Sequence, residues 1–126
     1  MEDIDFSDAF CRFVQTHLPS VDAAELLLVA FRNPEVAWQA RQAVERMPAG
    51  VTLTEADATK HLQAFQAAGI LDGTLRFRPA AEELRGFVHT LAKAYEERPV
   101  TLIRLIYALR DRKIRSFADA FKLRKD

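Results

Sequence analysis

The side chains that most often carry out chemistry are few in this sequence and lie far apart. Three histidines, His17, His61 and His89, fall in three different predicted helices, with no cysteine pair or spaced carboxylates beside them. A metal site needs three or four such ligands at defined spacings, so the sequence predicts none. The four glycines form no phosphate-binding loop, and no nucleophile elbow occurs. We interpret the chain as a protein without enzymatic activity or cofactor.

The single cysteine, Cys11, rules out an internal disulfide and lies among aromatic residues, where a small buried apolar role is the expected one. The sequence opens without a basic, apolar leader, and its longest apolar run, 26–31, is too short to span a bilayer. We expect a cytoplasmic protein that is neither exported nor embedded in a membrane.

The residues that could recognise a partner are concentrated in residues 52–79, TLTEADATKHLQAFQAAGILDGTLRFRP. Thr54 is a candidate N-cap, with Asp57 three residues later, and Gly69 is a candidate helix stop. The apolar residues between them repeat at three and four positions and predict a core-facing side: Ala58, Leu62, Phe65 and Ala68. The opposite side would carry Thr59, Lys60, Gln63, Gln66 and Ala67 and would be free to enter a major groove.

After this helix, Asp72-Gly73 predicts a tight turn between two short strands. Alternation along the second strand would put Leu75 and Phe77 on one side and Arg76 and Arg78 on the other. Two exposed arginines suit phosphates or a minor groove. The alternative is that they are ordinary solubilising charges on a sheet edge.

The elements that would hold this stretch are mainly helical. Residues 6–18 and 21–31 predict two helices separated by Pro19, the second apolar on nearly all sides and therefore central. For 35–47 two readings are open: a helix from the start, or a strand Val36–Trp38 followed by a helix Gln39–Met47, which we favour. With the turn at 48–50, the order is helix, turn, helix.

Residues 80–111 form the longest helical pattern, in which Pro99 predicts either a kink or two helices meeting near Arg98. Residues 100–109 are apolar on more than one side, which favours homodimerisation through this segment. The dimerisation hypothesis rests on eight apolar residues: Leu91, Tyr95, Leu102, Ile103, Ile106, Leu109, Phe117 and Phe121. Residues 104–126 carry eight basic residues against three acidic ones. This segment is either a phosphate-binding segment or a solvated helix with no such role.

Composition fits one globular domain with extensions, since apolar residues make up 49% and charged residues 29% of 126 residues. Net charge is zero, from 18 basic and 18 acidic residues. Residues 1–54 carry −4 and residues 55–126 carry +4. Zero net charge argues against strong non-specific binding to nucleic acid, unless the basic residues share one side of the fold.

With these elements placed, the chain resembles the bacterial winged helix-turn-helix proteins, in the broad sense that includes MarR-like regulators. The segments that carry the resemblance are SVDAAELLLVAFRN, LTEADATKHLQAFQAAGIL and IRSFADAFKLRKD. It implies a mainly α fold with a small β-hairpin wing. The implied organisation is an N-terminal helix in 1–19, a winged helix-turn-helix in 20–79 and a helical dimerisation extension in 80–126.

The function that this resemblance implies is transcription regulation by a homodimer bound to double-stranded DNA. The DNA-binding residues would be Thr54, Thr59, Lys60, Gln63, Arg76 and Arg78. Glu55 and Asp57 depart from the pattern of a strong DNA binder, since only Lys60 offsets them in this helix. The alternative is a protein-interaction module of the same fold that binds no DNA, and a small-ligand sensor is a third possibility.

Overall fold

The structure, a computed structural model, describes residues 6–111. Six helices make up nearly all of its regular structure: α1 (Asp8–His17), α2 (Val21–Arg32), α3 (Ala40–Glu45), α4 (Glu55–Ala67), α5 (Glu82–Glu97) and α6 (Pro99–Asp111). The described chain divides into two compact units, a central unit, Asp22–His89, and a terminal unit made of residues 6–21 and 90–111. The expectation of a mainly helical fold is confirmed.

In the terminal unit, α1 packs against α6. Ser7 caps α1, because its hydroxyl accepts a hydrogen bond from the Phe10 amide at 3.0 Å. The side of α1 that the apolar spacing predicted is buried, through Phe10, Phe13 and Val14. Cys11 is buried as well, and burial, with a smaller effect of Asp8, raises the pKa of its thiol to about 12. Its predicted role as a buried apolar side chain is confirmed.

The helical pattern of residues 80–111 is interrupted at Arg98, where α5 has ended and α6 has not begun. Pro99 is the first residue of α6, a position where its missing N–H leaves no intrahelical hydrogen bond unmade. Of the two forms that the sequence allowed, the structure contains two helices rather than one kinked helix.

In the central unit, α2 has buried residues at every position from Ala23 to Ala30, as its continuous apolar run predicted. Asn33 ends the helix by donating from its side-chain nitrogen to the Val29 carbonyl at 2.9 Å. The eight buried positions include one carboxyl, that of Glu25, and desolvation raises its pKa against a smaller opposing effect of Arg32. Burial therefore favours the neutral acid at this position.

Helices α3 and α4 pack together, and both ends of α4 are fixed by local hydrogen bonds. At its start, the Thr54 hydroxyl accepts from the Asp57 amide at 3.0 Å. At its end, the Gly69 amide donates to the Gln66 carbonyl at 3.0 Å, and the Ile70 amide donates to the Phe65 carbonyl at 2.9 Å. This pair of bonds is a Schellman motif, with Gly69 in the left-handed region at φ +83°. Both predicted caps are confirmed.

The predicted β-hairpin wing is wrong, since residues 6–111 contain no strand and no sheet. The two arms after α4 share only an isolated antiparallel bridge between Leu71 and Phe77. The ladder extends no further, because the Ile70 amide donates to the Phe65 carbonyl instead of to Arg78, and the Arg76 amide donates to the Asp72 Oδ1 instead of to the Asp72 carbonyl. Residues 6–111 therefore do not form the predicted winged helix-turn-helix with a β-hairpin wing.

The favoured strand Val36–Trp38 is wrong as well. The Val36 amide closes a turn onto the Asn33 carbonyl at 3.1 Å, as expected beside Pro34. Only the Trp38 amide reaches the second arm, where it donates to the Leu75 carbonyl at 3.3 Å. The helix that follows is also shorter than the predicted Gln39–Met47, because Gln39 is its N-cap and Arg46 its C-cap.

The conformation of Gly69 gives a stability prediction with an internal control. We expect Gly69→Ala to lower the free energy of unfolding by about 1–2 kcal/mol, because a side chain is strained at positive φ. The added Cβ would lie 3.5 Å from the Ala80 Cβ, an ordinary contact, so the cost comes from the backbone. Urea denaturation followed by circular dichroism measures it.

The matched control is Gly86→Ala, an exposed position inside α5 with open space around its Cα. This change should raise the free energy of unfolding by about 0.5–1 kcal/mol, because alanine loses less backbone entropy in a helix. Equal effects of the two substitutions would contradict a role of Gly69 as the helix stop.

Candidate nucleic-acid interface

Helix α4 has one buried and one exposed side, divided as its spacing predicted. Ala58, Leu62 and Phe65 are buried, while Lys60 and Gln63 are exposed. Gln66, predicted to face solvent, is half-buried, and its side-chain nitrogen donates to the Asp72 carbonyl at 3.3 Å. The exposed side available to a partner is therefore narrower than expected.

Both threonines predicted to contact DNA use their hydroxyl groups in hydrogen bonds to the backbone of α4. The Thr54 hydroxyl accepts from the Asp57 amide, as the N-cap. The Thr59 hydroxyl donates to the Glu55 carbonyl at 2.9 Å, one turn earlier. Both side chains are exposed, and both oxygens keep a lone pair for a further donor. Among the predicted residues of α4, Lys60 and Gln63 are the exposed side chains best suited to base edges or phosphates.

The loop after the bridge residue Leu71, residues 72–78, is organised by the carboxylate of Asp72. Its Oδ1 accepts from the Thr74 hydroxyl at 2.6 Å, the Thr74 amide at 2.8 Å and the Arg76 amide at 3.0 Å. The Thr74 hydroxyl, the Arg76 amide and the other donors lower the Asp72 pKa to about 2. The carboxylate is therefore ionised throughout the physiological range and fixes the loop by charge-assisted hydrogen bonds.

The turn itself differs from the predicted one, in which Asp72 and Gly73 would have had positive φ. The Leu75 amide donates to the Asp72 carbonyl at 2.9 Å, and the positive φ falls on Leu75, at +66°. This is a three-residue loop, a type I turn followed by a left-handed residue. A leucine is strained there, and the Asp72 hydrogen bonds to Thr74 and Arg76 hold it in place.

The two loop arginines have different environments, although their predicted roles are the same. The Arg76 Nε donates to the Glu35 carbonyl at 3.0 Å, and its Nη1 lies 3.4 Å from the Thr74 hydroxyl oxygen. The Arg78 Nη1 lies 3.9 Å from the Asp72 Oδ2, and the Arg78 side chain is 78% exposed. Exposed pairs at such a distance are weak, so the Arg78 guanidinium can turn to an external anion.

Trp38 lies where the loop meets the segment before α3. It is 2% exposed, and the Arg46 guanidinium lies 5.5 Å from the centre of its ring. Its amide donates to the Leu75 carbonyl at 3.3 Å. The strand Val36–Trp38 was predicted to pair with the later hairpin. The Trp38 amide does reach this loop, although no strand pairing forms.

The charge of the central unit is not that of a strongly basic surface. It contains seven basic and nine acidic residues, a net −2. Desolvation lowers the pKa of His61, half-buried in α4, against the opposing effects of Asp57 and Asp22, which favours its neutral form. A DNA contact here would depend on local placement of Lys60 and Arg78 rather than on a large positive field.

The residues of the dimerisation hypothesis fall into three groups. Those buried within the single chain are Leu91, Leu102, Ile106 and Leu109. Tyr95 and Ile103 are half-buried, and Phe117 and Phe121 lie outside the described residues, as does most of the basic segment 104–126. The most exposed large apolar side chains of α6 were not among the predicted eight: Val100, 60% exposed, and Tyr107, 43% exposed.

Sequence reasoning missed the hydrogen bond of Arg76 with Glu35, which joins residues 41 positions apart. No local sequence pattern predicts a contact between residues so far apart in the chain. It also missed the role of Asp72, although the signal was present: aspartate two residues before threonine favours a side-chain turn of this kind.

Within residues 6–111, no three histidine, cysteine or acidic side chains are grouped so that they could hold a metal ion. None of the described helices has both the length and the apolar character that crossing a bilayer requires. Scans of this chain against protein-family models, against curated proteins and against solved structures found no match.

Proposed function

We propose that this chain is a DNA-binding regulator that acts in the cytoplasm as a homodimer. Helix α4 would enter the major groove with Thr59, Lys60 and Gln63 towards the bases. The loop of residues 72–78 would lie against the sugar-phosphate backbone. Dimerisation would double these contacts and so compensate for the absence of a net positive charge on a single copy.

The observation that carries the proposal is the division of α4 into a fixed and a presented side. Ala58, Leu62 and Phe65 are at most 2% exposed, so the helix is held along its length. Its 13 residues extend over about 20 Å at a rise of 1.5 Å per residue, and a major groove about 12 Å wide admits such a helix. Lys60 and Gln63 lie on the side that remains accessible.

The test is a fluorescence anisotropy titration of labelled duplex DNA with the full chain, repeated at increasing salt. We expect binding at low salt that weakens as salt rises. Lys60→Glu should weaken it at least about tenfold and lower the slope of log K against log salt by about 1, because the helix loses a cation from the proposed DNA contact.

The matched control is Lys93→Glu, the same charge change at an exposed position of α5. It alters net charge equally, but Lys93 belongs to the terminal unit and not to the proposed DNA-contacting residues, so the affinity of this variant should stay within about twofold of wild type. Equal weakening by the two variants would show an effect of net charge alone, and absence of binding at low salt would refute the proposal.

A second candidate is a protein-interaction module that binds no DNA. The observation that favours it is the net charge of −2 on the central unit, together with the hydrogen bonds that hold Arg76 to its own chain. The same titration separates the two functions. A chain that ignores duplex DNA but is retained by a protein partner through α4, and loses that partner on Gln63→Ala, would be such a module.

A further inference from the structure

The two loop arginines, alike in sequence, differ in what their guanidinium groups can do. Arg76 is bonded in two directions, through Nε to the Glu35 carbonyl at 3.0 Å and through Nη1 towards the Thr74 hydroxyl at 3.4 Å. That hydroxyl donates to Asp72 at 2.6 Å, so the guanidinium is part of the network that shapes the loop. Its planar fork fits two acceptors at a fixed angle, which an ammonium group does not.

The bond to Glu35 works together with one backbone bond nearby. The Trp38 amide donates to the Leu75 carbonyl. Trp38 lies three residues after Glu35, and Leu75 lies one residue before Arg76. The loop is thus joined to residues 35–38 at two adjacent points. Since Leu75 is held at positive φ, loss of either point would let the loop relax.

Arg78 has no such constraint. Its closest described acidic oxygen, the Asp72 Oδ2, is 3.9 Å away, beyond hydrogen-bond distance, and its side chain is 78% exposed. The Asp72 Oδ1 carries the loop hydrogen bonds, so Arg78 can leave the carboxylate without opening the turn. A phosphate can therefore replace this ion pair at little structural cost.

We propose that Arg76 is a positioning residue, which fixes the 72–78 loop on residues 35–38, and that Arg78 is the residue of this loop that binds a DNA phosphate. The assignment of Arg78 rests on the proposed function. The assignment of Arg76 does not, because it concerns contacts within the chain.

The test compares lysine and glutamine substitutions at Arg76 and at Arg78, with two measurements on the full chain. Trp38 is the only tryptophan, so its emission and its quenching by acrylamide report on the junction between the loop and residues 35–38. Duplex binding and its salt slope report on phosphate contact.

We expect Arg76→Lys and Arg76→Gln to have the same effects, although the lysine variant keeps the positive charge. Both should shift Trp38 emission to longer wavelength and increase its quenching by acrylamide. Both should also weaken DNA binding several-fold. For Arg78 we expect lysine to retain wild-type binding. Arg78→Gln should weaken binding about tenfold and lower the salt slope by about 1, with Trp38 emission unchanged.

Wild-type Trp38 spectra in both Arg76 variants, while the wild-type chain binds DNA, would overturn the positioning role. Wild-type binding by Arg78→Gln would overturn the phosphate contact. A wild-type chain that binds no duplex would overturn the proposed function and the Arg78 assignment with it, and the Trp38 spectra would still decide the role of Arg76.

Discussion

Replacing Trp38 by alanine is expected to lower the free energy of unfolding by about 3–5 kcal/mol, the largest effect of any single substitution considered for the central unit. The ring is 2% exposed and has the Arg46 guanidinium on one side. Truncation would remove most of a large buried surface and leave a cavity that the surrounding residues could fill only in part. The loss is measured by urea denaturation followed by circular dichroism, because the variant has no tryptophan whose fluorescence could be followed.

Trp38→Phe is the control for this prediction. It keeps an aromatic ring and removes the indole N–H, which has no acceptor among the described residues. A buried donor without an acceptor costs about 1–3 kcal/mol, so its removal offsets part of the lost packing. We expect Phe to cost less than half as much as Ala. A loss below about 1 kcal/mol in Trp38→Ala would show that the ring is not part of the core.

Replacing Ile106 by alanine is expected to lower the free energy of unfolding by about 2–5 kcal/mol without changing the mass of the protein in solution. Ile106 was predicted to contact a second copy, but it is 1% exposed within a single chain. A side chain already buried in one protomer contributes to the stability of that protomer. Chemical denaturation and multi-angle light scattering together separate the two roles.

Val100→Ala is the matched comparison on the same helix. Val100 is 60% exposed, so this change should alter the free energy of unfolding by no more than about 0.5 kcal/mol. If the chain forms a homodimer through the exposed side of α6, Val100→Glu with Tyr107→Glu should dissociate it. An Ile106→Ala variant of normal stability that loses a dimer would instead restore Ile106 to the interface.

The parts of the fold that sequence could predict are those decided by neighbours in the chain. The caps of α4 need only Thr54, Gly69 and the residues three or four positions away, and both are present. The buried side of α4 follows from a period of three and four residues in the same way. These features form wherever the helix forms, whatever it packs against.

The parts that sequence could not predict depend on contacts between residues far apart in the chain, or on backbone amides that have more than one possible acceptor. Asp72-Gly73 does mark a turn, but a ladder needs free amides on both arms. The Schellman motif uses the Ile70 amide, and the Asp72 carboxylate uses the Arg76 amide. Periodicity shows that the side of α6 that carries Ile106 is apolar. It does not show whether residues of the same chain or of a second copy bury that side. The bond from Arg76 to Glu35 has no local signature at all.

Ile70 belongs to the Schellman motif through its amide and to the loop through its carbonyl. Its amide donates to the Phe65 carbonyl at 2.9 Å, and its carbonyl accepts from the Arg78 amide at 3.1 Å. Helix ends usually fray at almost no free-energy cost. Here, unwinding the last turn of α4 would also pull on the arm that carries Arg78. We therefore expect the end of α4 and the Arg78 arm to open and close as one cooperative segment.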